Sequence, residues 1–206
     1  MNQCVMVACA VVQAVSTVVL AILTGFYVGA TNRLARDTAQ QAKRSMELQV
    51  ILDALRLLAE TINAVKELWS LTDMTTDYLQ LWEGRGRMPS WLLNDCDREL
   101  RAQADQLTAL VKQTEVYYQS RSVILDKAGW EQVDLEGILV EVQSKLANFK
   151  RGVGRCIEAV KEDREPPREL LEESLPELHK VVLSRLEKMA SACEDQEARL
   201  RRALME

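Results

Sequence analysis

The sequence predicts an all-α protein: an N-terminal single-pass transmembrane helix that continues into a helical stalk and then into an antiparallel four-helix bundle. Three observations lead there. Among 206 residues only 5% are aromatic, with 8 Gly and 4 Pro, and Ala, Leu, Glu, Arg, Gln and Val dominate, as in helix-rich chains. Every charged side chain lies after residue 32. Beyond that point apolar positions recur with helical period, and no run between turn signals reads as a strand.

The opening comes first. From Val5 to Ala30 no side chain carries a charge, and the first that does is Arg33. A helix over that stretch rises about 39 Å against a hydrocarbon core of roughly 30 Å, so residues 1–30 are expected to span a bilayer with some tilt. Phe26 and Tyr27 fall near the exit, where aromatic rings favour the interface. A cleaved signal peptide needs a basic start and a shorter apolar core, whereas MNQC has no Lys or Arg. A lipoprotein-like reading of VACA around Cys9 meets the same objection. Arg33, Arg36, Lys43 and Arg44 follow the span with nothing comparable before it. The positive-inside rule then puts the N-terminus outside and the remainder in the cytoplasm.

Within the span, Gly25 and Gly29 form a GxxxG pair, and the row at four-residue spacing reaches back through Ala21, Thr17 and Gln13. Small residues in a row let two helices approach, and Gln13 adds a potential interhelical hydrogen bond. Self-association or docking on another membrane helix is the expectation. The plain alternative is that Gly is common in membrane helices.

Residues 31–47, TNRLARDTAQQAKRSME, are helix-compatible with scattered apolar positions. They read as a polar stalk. From Leu48 the pattern thickens: Leu48, Ile51, Leu55, Leu58, Ile62, Val65 and Trp69 alternate a and d positions, widened by Leu52, Ala59 and Leu68. TDMTT, residues 72–76, is rich in poor helix formers and is expected to kink. GRGRMPS ends the first helix, and Ser90 suits the N-cap of the second. The second carries Cys96, Leu100, Ala104, Leu107, Val111 and Tyr118 and ends at DKAGW. The third places Leu135, Ile138, Val142, Leu146, Phe149, Val153, Ile157 and Val160 on one face, and EDREPP breaks it. The last is expected to open at a capping box, Ser174 with Glu177, with Pro176 in its first turn. Its face is Leu178, Val182, Met189, Cys193 and Leu200. Nearly equal helices joined by short turns favour antiparallel neighbours, so residues 48–206 are read as a cytoplasmic four-helix bundle.

Chemistry is hard to find. A net charge of −5 does not suit a nucleic-acid binder. Cys4, Cys9, Cys96, Cys156 and Cys193 form no CxxC and are read as reduced thiols. His179 is the lone histidine, and the Glu-x-x-His pairs of di-metal bundles are absent. Glu131, Asp134, Glu136 and Glu141, and Glu169, Glu172, Glu173 and Glu177, gather near helix N-termini, where the helix dipole explains them. KRGVGRC is basic and Gly-rich, but it sits inside a helical pattern. Close helix packing accounts for the glycines, and Lys150, Arg151 and Arg155 are kept as a candidate contact for an anion or lipid headgroup. Trp82, Arg85, Arg87 and Trp91 flank the first turn. They either form a partner patch or close one end of the core.

No catalytic residue, cofactor, metal or small-molecule substrate is expected. The function expected is a non-catalytic membrane-anchored scaffold or adaptor, an accessory subunit of a membrane-associated assembly. Its partners would be the bilayer, other proteins or a further copy of itself, and no nucleic acid. The alternative is a signalling or effector component that passes a conformational change between span and bundle. Least favoured is an enzyme whose site is completed by another chain.

Overall fold

The chain is all-α in a computed structural model, which describes residues 2–85, 90–131, 133–162 and 164–205, without the side chains of residues 2–12, 81–85 and 90. Its helices are α1 (Asn2–Arg85), α2 (Ser90–Lys127), α3 (Leu135–Lys161) and α4 (Leu175–Met205), the last preceded by a π-helical turn, Leu170–Ser174. No strand occurs among the described residues. The chain divides into two units, Met1–Leu48 and Gln49–Glu206.

In the first unit every side chain from Gln13 to Met46 is exposed. Here α1 is long and apolar enough to cross a membrane: its most apolar 18-residue window has a mean hydropathy of 1.8 and none of it is buried. Val15, Leu20, Leu23, Phe26 and Tyr27 all point outward.

The second unit is a packed core. Ile51, Ala54, Leu58, Ile62, Val65 and Leu68 of α1 are buried with Leu93, Leu100, Leu107 and Val111 of α2, with Leu139, Val142, Leu146, Phe149 and Val153 of α3, and with Val182, Leu186, Met189, Cys193 and Leu200 of α4. The expected stripe of α1 needs trimming, since Leu48 is 49% and Leu52 53% exposed. The core starts at Val50 and Ile51, and from there Ile51, Leu58, Ile62 and Val65 are buried at the expected spacing, with Val50, Ala54 and Leu57 beside them.

Side-chain bonds fix the pairing of helices. Tyr117 of α2 donates to the Val50 carbonyl of α1 at 3.2 Å. Gln143 of α3 bonds Thr108 of α2 at 2.8 Å, and Glu115 of α2 accepts from the Glu136 amide at 2.9 Å. Arg185 of α4 pairs with Glu141 of α3 at 3.2 Å, and Lys66 of α1 with Glu194 of α4 at 3.4 Å.

TDMTT does not interrupt α1. Thr72, Thr75 and Thr76 are buried, and their hydroxyls donate to the carbonyls of Leu68, Leu71 and Thr72, each four residues back. Poor helix propensity is overridden because each polar group is satisfied within the helix and each methyl packs inward. The DKAGW turn is a Schellman cap. Gly129 takes φ +84, Trp130 N–H bonds the Leu125 carbonyl at 2.9 Å, and Gly129 N–H bonds that of Asp126 at 3.1 Å. Glycine belongs there because a side chain resists that left-handed conformation.

The expected capping box is overturned. Ser174 lies within a helix that already runs from residue 168, where the Leu170 N–H bonds the Pro167 carbonyl at 3.0 Å. Pro176 has no N–H, and its ring would strike the Glu172 carbonyl of a regular α-helix. The chain widens into a π turn instead, with Leu175 N–H reaching the Leu170 carbonyl.

Gly152 lets α3 pack closely on the start of α4. It is buried, and a Cβ there would lie 2.7 Å from Leu175 Cδ2 and 3.3 Å from its Cγ, with Leu175 itself buried. Gly154, two residues on, faces open space. The two should therefore respond in opposite senses. Gly154→Ala is expected to stabilise the protein by about 0.5–1 kcal/mol through helix propensity, whereas Gly152→Leu is expected to cost about 1–3 kcal/mol through overpacking. Thermal denaturation of the two variants checks both signs.

Candidate functional site

The most organised polar group joins three helices. Trp69 and Asp73 stand one turn apart on α1, and the Trp69 indole N–H donates to Asp73 Oδ2 at 3.0 Å. His179 of α4 donates from Nε2 to Asp73 Oδ1 at 2.7 Å, and its ring lies against Phe149 of α3, centroids 6.4 Å apart. The His179 side chain is 18% exposed and that of Asp73 44%. One carboxylate thus satisfies two ring N–H groups at the edge of the core. The signal for it lay in the spacing: Trp69 and Asp73 are four residues apart at the margin of an apolar stripe, yet a single chain gives no sign that His179, 106 residues later, arrives beside them.

A cavity of about 380 Å³ lies between α2 and the start of α3, lined by Glu115, Tyr118, Trp130, Val133, Asp134 and Glu136 among others. Several of its polar groups are engaged. Asp134 accepts from Gly137 N–H at 2.7 Å and Glu115 from Glu136 N–H, so two donors of the α3 N-terminus are capped by carboxylates. Tyr118 donates to Asp126 at 2.8 Å and stacks on Trp130, centroids 5.6 Å apart. Burial pushes the Glu115 carboxyl up, opposed by the Glu136 N–H and reinforced by the Glu136 and Asp134 charges. Glu131 pairs with Arg199. Among the described residues no three His, Cys, Asp or Glu side chains are grouped to hold a metal.

The basic stretch of α3 splits. Lys150 is partly buried, and its ammonium is pushed down by burial and by Arg101, against the opposing pull of Asp97 and Asp105 on α2. Arg151 and Arg155, four residues apart, are exposed. The structure thus turns Lys150 toward α2, while the two arginines share an outer face.

Of the four residues flanking the first turn, Trp91 opens α2 and is 63% exposed. Arg87 lies outside the described residues, and so do the side chains of Trp82 and Arg85. In the first unit Gln13, Thr17, Ala21, Gly25 and Gly29 are all exposed, and both glycines face open space. Thr17 donates to the Gln13 carbonyl at 2.8 Å. A shallow groove of about 770 Å³ runs past Gly25 and Gly29, lined also by Ile22, Phe26, Arg33 and Asp37.

The three cysteines of the core are free and buried. Burial pushes the Cys156 thiol up to about 11 and that of Cys193 to about 12, the latter helped by Glu194, and burial also raises Cys96. None is a ready nucleophile, because the thiolate is the reactive form.

The Asp73 group clasps α1 to α4. Removing its carboxylate leaves two ring N–H groups without their acceptor. Asp73→Ala is expected to lower stability by about 1 kcal/mol, at the low end for an orphaned donor because the site is half open. Urea denaturation checks this, and Asp73→Ala with His179→Ala should be non-additive. In comparisons with protein-family models, curated proteins and solved structures, nothing matches this chain.

Proposed function

We propose that this protein is a non-catalytic, membrane-anchored helical scaffold or adaptor, an accessory subunit of a membrane-associated assembly. One observation carries the reading. A single helix, α1, has an uncovered apolar first part and a second part buried in a helical core. Uncovered Val, Leu, Ile and Phe side chains over a bilayer's length are costly in water and favoured in lipid. Residues 1–30 then serve as the span, 31–47 as the stalk and 48–206 as an antiparallel four-helix bundle. Two contacts on each interface support that bundle, Val50–Tyr117 with Thr75–Cys96, Thr108–Gln143 with Glu115–Glu136, Glu141–Arg185 with Gly152–Leu175, and Lys66–Glu194 with Asp73–His179, since residue numbers fall along one helix as they rise along its neighbour. Arg33, Arg36, Lys43 and Arg44 argue for a cytoplasmic bundle and an outer N-terminus.

A non-catalytic role is supported by the engagement of the polar groups: the only histidine clasps Asp73, the α3 carboxylates cap or pair, and the core thiols are buried. Protein partners or a further copy are the occupants proposed for the span, along the row from Gln13 to Gly29, and Trp91 with Arg151 and Arg155 is available to partners or anionic headgroups. The signalling alternative loses its soft segment, because the threonines of TDMTT are buried and internally bonded.

The expected outcome is a chain that sediments with membranes after an alkaline carbonate wash and enters solution only with detergent. A reporter fused after Glu206 should be active only on the cytoplasmic side, and detergent purification should bring a stable protein companion. A full-length chain left in the high-speed supernatant would defeat the proposal.

A further inference from the structure

We propose that a second copy of this chain covers one face of the first part of α1, parallel and in register, along a seam that starts within the span and continues through the stalk to Leu48. The inference rests on the anchored reading, because two copies inserted the same way meet only in parallel and at one depth.

The face is written in a seven-residue repeat. Ala14, Ala21, Val28, Ala35 and Ala42 hold one core position, and Thr17, Thr24, Thr31, Thr38 and Ser45 hold the other. The spacing alternates between three and four residues, the 3.5-residue period that winds two helices into a left-handed coil. Leu20, Tyr27, Leu34 and Leu48 line one flank, with Val18 and Met46 on the other.

Charge obeys the same repeat independently. Arg33, Arg36, Asp37, Lys43, Arg44 and Glu47 are all the charged side chains between residues 31 and 48, and every one falls on the three outer positions. A stalk surrounded by water on all sides has no reason to sort its charges. The face left free of them carries Leu34, Met46 and Leu48, which are 68%, 56% and 49% exposed. These three lie beyond the lipid-length stretch, so lipid does not account for them, and no part of this chain covers residues 13–46.

The threonine hydroxyls of the seam are already engaged. Thr17, Thr24, Thr31 and Thr38 donate to the carbonyls of Gln13, Leu20, Tyr27 and Leu34 at 2.8, 2.7, 2.8 and 2.8 Å, leaving a methyl to meet the partner. Residues 14–48 run about 50 Å, and a strip about 10 Å wide gives roughly 500 Å² on each copy. The pair reaches roughly 1,000 Å², where specific interfaces begin. A ladder of like layers is matched by its own copy, which brings each residue opposite itself: Ala or Val on one set of levels, Thr or Ser on the other.

The four-residue row crosses this face obliquely. Thr17 and Ala21 sit in its core, Gln13 and Gly25 flank it, and Gly29 lies on an outer position. Helices crossing on GxxxG do so at about −40° and diverge within a few turns, which would leave the stalks apart. The two geometries are therefore separable.

The test uses the full-length chain in isolated membranes, with Cys4 and Cys9 replaced by Ser and one cysteine added at a time, followed by mild oxidation. Thr31→Cys, Thr38→Cys, Ala42→Cys and Ser45→Cys should give disulfide-linked dimers at least about tenfold more than Arg36→Cys, Gln40→Cys and Lys43→Cys. Adding Ala35→Glu with Ala42→Glu should cut the Thr38→Cys dimer by about tenfold, while Arg36→Glu with Lys43→Glu should leave it unchanged. Equal yields on seam and outer positions would overturn the proposal. So would dimers from Gly25→Cys and Gly29→Cys with none from the stalk, or a cross-link to a chain of different mass. A protein in the supernatant would defeat the anchor and this inference with it, whereas a pelleted protein without stalk dimers would defeat the inference alone.

Discussion

Every threonine of this chain returns its hydroxyl to the carbonyl four residues earlier, and the rest of the structure depends on the self-sufficiency that this represents. Thr17, Thr24, Thr31 and Thr38 do so on the uncovered part of α1, and Thr61, Thr72, Thr75, Thr76, Thr108 and Thr114 in or beside the core. A helix already satisfies its backbone internally; these residues extend the rule to side chains. The threonines of such a helix present no unpaired hydroxyl to their surroundings. The same device recurs on the uncovered and on the buried part of α1.

Within the core, the remaining polar groups are few and placed at joints. Gln196 is buried, and its Oε1 takes the Glu131 N–H at 3.1 Å. Asp73 holds Trp69 and His179, and Asp134 and Glu115 cap α3. Each sits where one helix must be located against the next, which apolar contact alone leaves loosely defined because it has no direction. The carboxylates that sequence alone ascribes to the helix dipole turn out to hold specific partners as well, Glu131 with Arg199 and Glu141 with Arg185.

What could be read from the chain beforehand follows the range of the physics. The apolar faces of α3 and α4 were legible because burial follows local period: Phe149, Val153 and Ile157, and Val182, Met189 and Cys193, are all buried as spaced. The end of α2 was legible from a glycine before a tryptophan. The start of the last helix was not. Ser174, Pro176 and Glu177 carry the residue types of an N-terminus, but the helix had already begun at the prolines, and Pro176 was absorbed by widening one turn. TDMTT misled in the same manner, since propensity is a weak local preference and burial in the core outweighs it. The clasp of Asp73 on His179 was out of reach, because it depends on which residues of two distant helices arrive at one level.

The trimming of the α1 stripe has a practical consequence. Val50 is the first residue of the chain to enter the core, and Arg44 and the other basic side chains of the stalk stand exposed before it. A protease that severs the backbone after Arg44 would leave together every buried side chain among the described residues. The packed unit is in that sense separable from the uncovered stretch ahead of it.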